Sequence, residues 1–132
     1  MNYVLTVLLS LLFLTGFSQT QADLNREAAE SYQKADQELN EVYQSILRIY
    51  QSDAGFRKSL KASQRIWISF RDAELKMKYP RTEPGYYGSI HPMCVSVYLE
   101  KLTRSRLATL KEWLDGVEEG DACSGSVGIK RK

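Results

Sequence analysis

The chain has 132 residues, with 18 Lys and Arg against 16 Asp and Glu, a net charge near +2, one histidine and two cysteines. That length holds one small domain and no more. The near balance of charge, with basic residues dispersed, excludes the footprint of a nucleic-acid binder, and a lone histidine leaves little for triad or histidine-rich metal chemistry.

Residues 1–22 contain no Asp, Glu, Lys or Arg, and residues 4–13 form a nearly unbroken apolar run. Small and polar residues follow. The pattern is that of a secretory signal peptide, whose apolar region runs roughly 7–15 residues before a small-x-small cut. Thr20-Gln21-Ala22 is the favoured cut and Gly16-Phe17-Ser18 the second. An uncleaved anchor is the alternative, but the run falls short of the ~20 residues a span needs. The expected product is periplasmic or secreted, with no stable membrane span after cleavage. The expected organisation is a signal peptide over 1–22, a helical domain over 23–117 and a flexible tail over 118–132.

Asp23 is expected to open a first helix over residues 24–51, with Glu27 available for capping. Its apolar positions are Ala28, Tyr32, Ala35, Leu39, Val42, Ile46 and Ile49, alternating steps of 4 and 3. That spacing forms one sustained stripe. Ser52 or Asp53 caps the next helix, whose stripe reads Phe56, Leu60, Ser63, Trp67, Phe70, Glu74 and Met77, widened by Ile66 and Ala73. Pro80 stops it near Lys78. The short connection sets these two helices antiparallel.

Residues 79–88 hold Pro80, Pro84, Gly85 and Gly88 around Tyr86-Tyr87, the composition of a surface loop. Such a loop is either a connector whose tyrosines cover the open end of the core or a contact surface. Ser89 can cap a third helix with Pro92 in its first turn, and Gly116 ends it. Its apolar positions include Val95, Tyr98, Leu99, Leu102, Leu107, Leu110, Trp113 and Leu114. After Gly116 the chain is mostly Gly, Glu, Asp and Ser and reads as disordered from about Glu118. The expected fold is all-α, a small antiparallel bundle of three main helices.

Cys94 and Cys123 would meet an oxidising compartment. A helix from Cys94 to Leu114 rises about 30 Å. Only a taut tail, at about 3.3 Å per residue, would bring Cys123 back to bond. Free thiols, an intermolecular bond or that strained disulfide all remain open. His91 stands three residues before Cys94, a spacing that permits a two-ligand metal contact, but no third ligand is evident nearby. No Gly-rich phosphate loop is present, and no cofactor is implied.

Polar residues form a second stripe on each helix. Asp36, Asn40 and Tyr43 share a face of the first, and Gln64, Trp67, Arg71 and Glu74 share a face of the second. Thr103 and Arg106 interrupt the apolar pattern of the third. Partly buried charges need partners, so Arg71 or Arg106 is expected to meet Asp36, Asp72 or Glu74. The result is either a network that fixes helix register or a binding groove. A glycosidase-like pair of carboxylates would need one acid with a raised pKa, which neighbouring arginines oppose. No catalytic residue is therefore assigned, and no enzyme is expected.

Three fragments occur in register: Ala35-Asp36-x-x-Leu39-Asn40-x-x-Tyr43, then Gln64-Arg65-x-Trp67-Ile68-x-Phe70-Arg71-Asp72-Ala73-Glu74, then Gly88-Ser89-Ile90 with Leu102-Thr103-x-x-Arg106. Together they resemble the family of the lysozyme inhibitor LprI, over about residues 30–114. The resemblance implies a secreted or envelope-attached bacterial helical domain that binds a protein partner, lysozyme for some members. The family usually carries a disulfide between the second and third helices. Leu75 and Tyr98 stand in those places here, so the resemblance implies that this staple is missing. C-type lysozymes are strongly basic, and this slightly basic chain lacks an acidic block. A structural or accessory envelope protein, meeting a partner through Tyr86 and Tyr87, is the competing expectation. A small-anion binder using the region of Arg71 and Arg106 is the other.

Overall fold

A computed structural model describes residues 19–130. The expected signal peptide therefore lies outside the described residues, apart from positions 19–22, as do the last two residues of the basic C-terminus. Three helices make up the fold: α1 (Gln21–Ile49), α2 (Ala54–Lys78) and α3 (His91–Asp115). Among the described residues no helix is long and apolar enough to cross a membrane.

The helix starts differ in instructive ways. Asp23 is not the cap of α1. Thr20 caps it, its hydroxyl accepting from the Asp23 N–H while the Asp23 side chain reaches back to the Thr20 N–H. This is a capping box shifted three residues earlier than Asp23 alone suggests. Asp53 caps α2 by accepting from the Phe56 N–H at 2.8 Å. Ser89 does not cap α3. Ile90 holds the cap position with no side-chain bond, and Pro92 in the first turn needs no N–H partner.

Side-chain pairs fix the relative directions. Tyr50 stacks on Phe56 at 4.3 Å while Tyr32 meets Arg71 near the other end, so α1 and α2 are antiparallel. Gln64 meets Arg106, and Glu74 meets Tyr98, so α2 and α3 are antiparallel too. α1 and α3 then run parallel, tied by Asn25 to the Ser89 carbonyl at one end and Ser31 to Glu100 further along. They form the closest helix pair. Ala35 and Thr103, both small and fully buried, suit that close approach.

The core is Leu39, Val42, Ile46, Leu60, Leu107 and Leu110, flanked by Tyr43, Tyr50, Phe56, Trp67 and Trp113 among others. Of the stripe expected on α1, Ala35, Leu39, Val42 and Ile46 are buried, Ala28 and Tyr32 are half-buried and Ile49 at its end is exposed. On α2 the outcome is a correction. Of its expected stripe only Leu60 is fully buried; Ile66 is 69 %, Phe70 51 % and Met77 68 % exposed. Phe56, Trp67 and Glu74 of that stripe are half-buried, and the helix is turned so that Gln64 and Arg71 join them on the inward side while Phe70, Met77 and the widening residues Ile66 and Ala73 face out. Polar groups can occupy that side because each finds a partner across the interface.

After Gly116, residues 117–130 fold back on the end of the bundle. The Val117 N–H donates to the Gly128 carbonyl and the Lys130 N–H to the Val117 carbonyl, each at 2.9 Å. The Tyr50 hydroxyl donates to the Ser126 carbonyl and accepts from the Gly128 N–H. Gly116 makes the turn at φ +73°, where a Cβ would lie 2.8 Å from the Gly128 oxygen.

Candidate functional site

The residues picked out in the sequence do not form one site. They divide into three clusters between helices and one loop. In the first, between α1 and α2, Arg71 is only 17 % exposed on its side chain. Its Nε and Nη2 donate to Asp72 Oδ1 at 2.9 and 2.8 Å. Nη1 reaches the Tyr32 hydroxyl at 3.4 Å and Asp36 Oδ1 at 4.0 Å. The guanidinium also lies over the Trp67 ring, 5.5 Å from its centroid, where the ring face attracts a cation. Asn40 donates to Asp36 at 3.5 Å, on the exposed rim. Burial pushes the Tyr32 hydroxyl pKa up, opposed by the neighbouring arginine. Arg71 is therefore held from four sides, and Tyr43 packs on the core rather than joining this group.

In the second cluster the Tyr98 hydroxyl donates to Glu74 Oε2 at 3.0 Å. That bond raises the Tyr98 pKa, because it favours the protonated phenol. It joins α2 to α3 beside Leu75, in the region where the resemblance places a disulfide. Cys94 and Cys123 are both free, as the long return path favours.

The third cluster centres on Arg106. Its Nε donates to Gln64 Oε1 at 3.1 Å and its Nη2 to Ser63 Oγ at 3.0 Å. Both acceptors are neutral. Among the described residues no carboxylate lies within ion-pair distance, so the expected pairing of Arg106 with an acid is not found. The guanidinium borders a cavity of about 190 Å³ between α2 and α3, walled by Phe56, Leu60, Leu110 and Trp113.

The loop tyrosines sit apart, at the end of the bundle away from the Tyr50–Phe56 turn. Tyr87 lies 4.7 Å from the His91 ring and 5.3 Å from the Tyr79 ring, and its hydroxyl accepts from the Arg81 N–H. Tyr86 is exposed, with Arg81 over its ring at 5.6 Å. Among the described residues no group of three His, Cys, Asp or Glu is placed to hold a metal ion. Sequence reasoning passed over Tyr32 and Tyr98 as apolar members of their stripes, although a buried tyrosine needs a partner for its hydroxyl. Ser126, which accepts from Trp113 Nε1 at 3.0 Å, carried no periodic signal.

The family model described as lysozyme inhibitor LprI matches residues 16–110. The chain belongs to this family. An uncharacterised protein of Rhizobium meliloti (strain 1021) is 36 % identical over 110 residues, covering 75 % of this chain and 77 % of that protein. No solved structure matches. The match takes in the Arg71 network, the Tyr98–Glu74 bond, Arg106 with its two acceptors and the loop, whereas the cavity wall Trp113 lies just past its end. Ser126 and the returning tail lie beyond it.

Proposed function

We propose that this chain acts outside the cytoplasm as a non-enzymatic domain that binds a protein partner. The observation that carries this reading is the outer face of α2. Ile66, Phe70, Ala73 and Met77 follow one another at helical spacing and face solvent. Lys58, Lys61, Arg65 and Lys76 are exposed on the adjoining side. An exposed apolar stripe of this kind marks an interaction surface. Its basic border fits a partner whose apolar patch is rimmed by carboxylates.

A photoreactive residue placed at position 70 of the full chain, expressed in a bacterial envelope, tests this. Adducts are expected from position 70 and not from Gln37, exposed on α1. Equal yields from both positions would overturn the choice of face.

A second reading, lysozyme inhibition, is favoured by the family's description and by a division of charge. α1 carries six carboxylates against three cations, whereas α2 carries seven cations against two carboxylates. A basic enzyme would meet α1, where Glu30 and Glu41 are exposed. A turbidity assay of lysozyme on a bacterial suspension, with the purified chain added, discriminates the readings. Protection lost on Glu30→Lys with Glu41→Lys supports lysozyme at α1. Protection lost on Phe70→Glu places it at α2. No protection at large molar excess removes lysozyme as the partner.

The charge-free leader supports export, and the capping box bears on where it is cut. Cleavage after Ala22 would delete Thr20, whose loss as a cap costs about 0.5–2 kcal/mol. Cleavage after Ser18 keeps it. N-terminal sequencing of exported protein is expected to begin at Gln19.

A further inference from the structure

The two inward arginines are treated differently by the fold. Arg71 has Asp72, Asp36, Tyr32 and the Trp67 face. Arg106 has only a glutamine oxygen and a serine hydroxyl. A guanidinium has five N–H donors, so three of those on Arg106 make no bond within the described residues. Partial burial without a counter-charge is unfavourable, and it pulls the Arg106 pKa down with nothing opposing it. The unmet charge borders the cavity walled by Phe56, Leu60, Leu110 and Trp113, with the hydroxyls of Ser59, Ser63 and Ser126 at its edge. At about 190 Å³ the space is smaller than the roughly 300–1,000 Å³ of pockets for drug-sized ligands.

We propose that this cleft between α2 and α3 binds a small organic carboxylate with an aromatic body, the carboxylate on Arg106 and the ring against Phe56 and Trp113. A planar guanidinium meets a carboxylate through two parallel bonds, which supplies direction as well as charge. The aromatic walls favour a ring over a straight chain. Phe56 and Trp113 stand 6.4 Å apart between centroids, inclined at 37°, so they form one continuous aromatic wall against which a ring can pack. The tail is part of the site, because Trp113 is held by the Ser126 hydroxyl. This inference does not depend on the partner-binding reading, since the outer face of α2 is a different side of that helix.

Calorimetric titration of the full chain with benzoate and phenylacetate tests it, with phenylacetamide as the neutral control. Saturable binding of a carboxylate at millimolar concentration or below is expected, with no saturable heat from the amide. Arg106→Gln should weaken binding at least about tenfold, because it removes the charge and both of its bonds to the carboxylate. Arg71→Gln should leave the affinity within about twofold, because that arginine is outside the cavity. Ser59→Phe alters an exposed helix position that borders the cavity, so it fills the space without touching the charge, and it too should abolish binding. That variant decides the matter if Arg106→Gln does not fold. Absence of saturable binding by either carboxylate overturns the proposal. So does affinity that survives both Arg106→Gln and Ser59→Phe.

Discussion

The rotation of α2 makes a quantitative prediction that separates it from the alternative packing. If Phe70 were a core residue, Phe70→Ala would cost about 3–5 kcal/mol. In this structure its side is 51 % exposed. Full burial of a phenylalanine contributes roughly 1.5–3 kcal/mol, so at most about half of that is at stake. Alanine recovers several tenths of a kcal/mol in helix propensity. The net loss should therefore be below about 1 kcal/mol. Leu39→Ala is the internal standard: Leu39 is 1 % exposed and its truncation should cost about 2–5 kcal/mol. Urea unfolding followed by circular dichroism measures both, with equal m-values confirming that the change is in stability. At about 4 °C per kcal/mol for a domain of this size, Leu39→Ala should lower Tm by about 8 °C or more and Phe70→Ala by less than about 4 °C. Equal losses in the two variants would show that α2 is turned the other way.

Thr103 is fully buried and its hydroxyl has no hydrogen-bond partner among the described residues, so Thr103→Val should leave Tm unchanged or raise it; a loss above about 1 kcal/mol would mean the hydroxyl is paired. Gly116→Ala forces a Cβ into the Gly128 carbonyl at a positive φ, and limited proteolysis within residues 117–130 should accelerate while helical dichroism is kept; an unchanged cleavage rate would refute the tail's docking. Glu100 accepts from Arg104 Nε at 2.7 Å and from Ser31, and the arginine bond leads in holding its carboxyl below the ordinary 4.5. A lowered acid stabilises the fold above its unfolded pKa and loses that contribution as pH falls through the folded one. Glu100→Gln should thus be less stable than wild type at neutral pH, with the gap closing below the ordinary glutamate pKa; a pH-independent gap would contradict the linkage.

How much could be read from the sequence differs from helix to helix. In α1 the apolar residues form one stripe and nothing competes with it, so Ala35, Leu39, Val42 and Ile46 are buried as the steps of 4 and 3 require. In α2 two stripes share that spacing. One continues through Ile66, Phe70 and Met77, the other through Gln64 and Arg71, and Trp67 and Glu74 fit the spacing of either. Periodicity alone cannot choose between them, since both satisfy the same rule. The choice rests on partners 39 and 42 residues away for Arg71 and Gln64, and 24 away for Glu74. Those pairings belong to tertiary packing and leave no local signature. The tail was hidden for a related reason: backbone bonds through Gly128 and Lys130 hold it, and these depend on no side-chain pattern.

The inversion of α2 also separates what holds the domain together from what it can offer a partner. Turning Arg71, Glu74 and Gln64 inward would be unfavourable on an all-apolar helix pair, because each would lose water without gaining a bond. Here Tyr32, Asp36, Tyr98 and Arg106 supply those bonds. The same rotation leaves Ile66, Phe70 and Met77 outside, where they contribute little to stability. Changes on that outer stripe should therefore alter association while the fold persists, and changes to Tyr32 or Tyr98 should do the reverse. Arg106 belongs to neither class. It faces inward like Arg71 but lacks an acid, so the fold has left one inward charge to be met from outside.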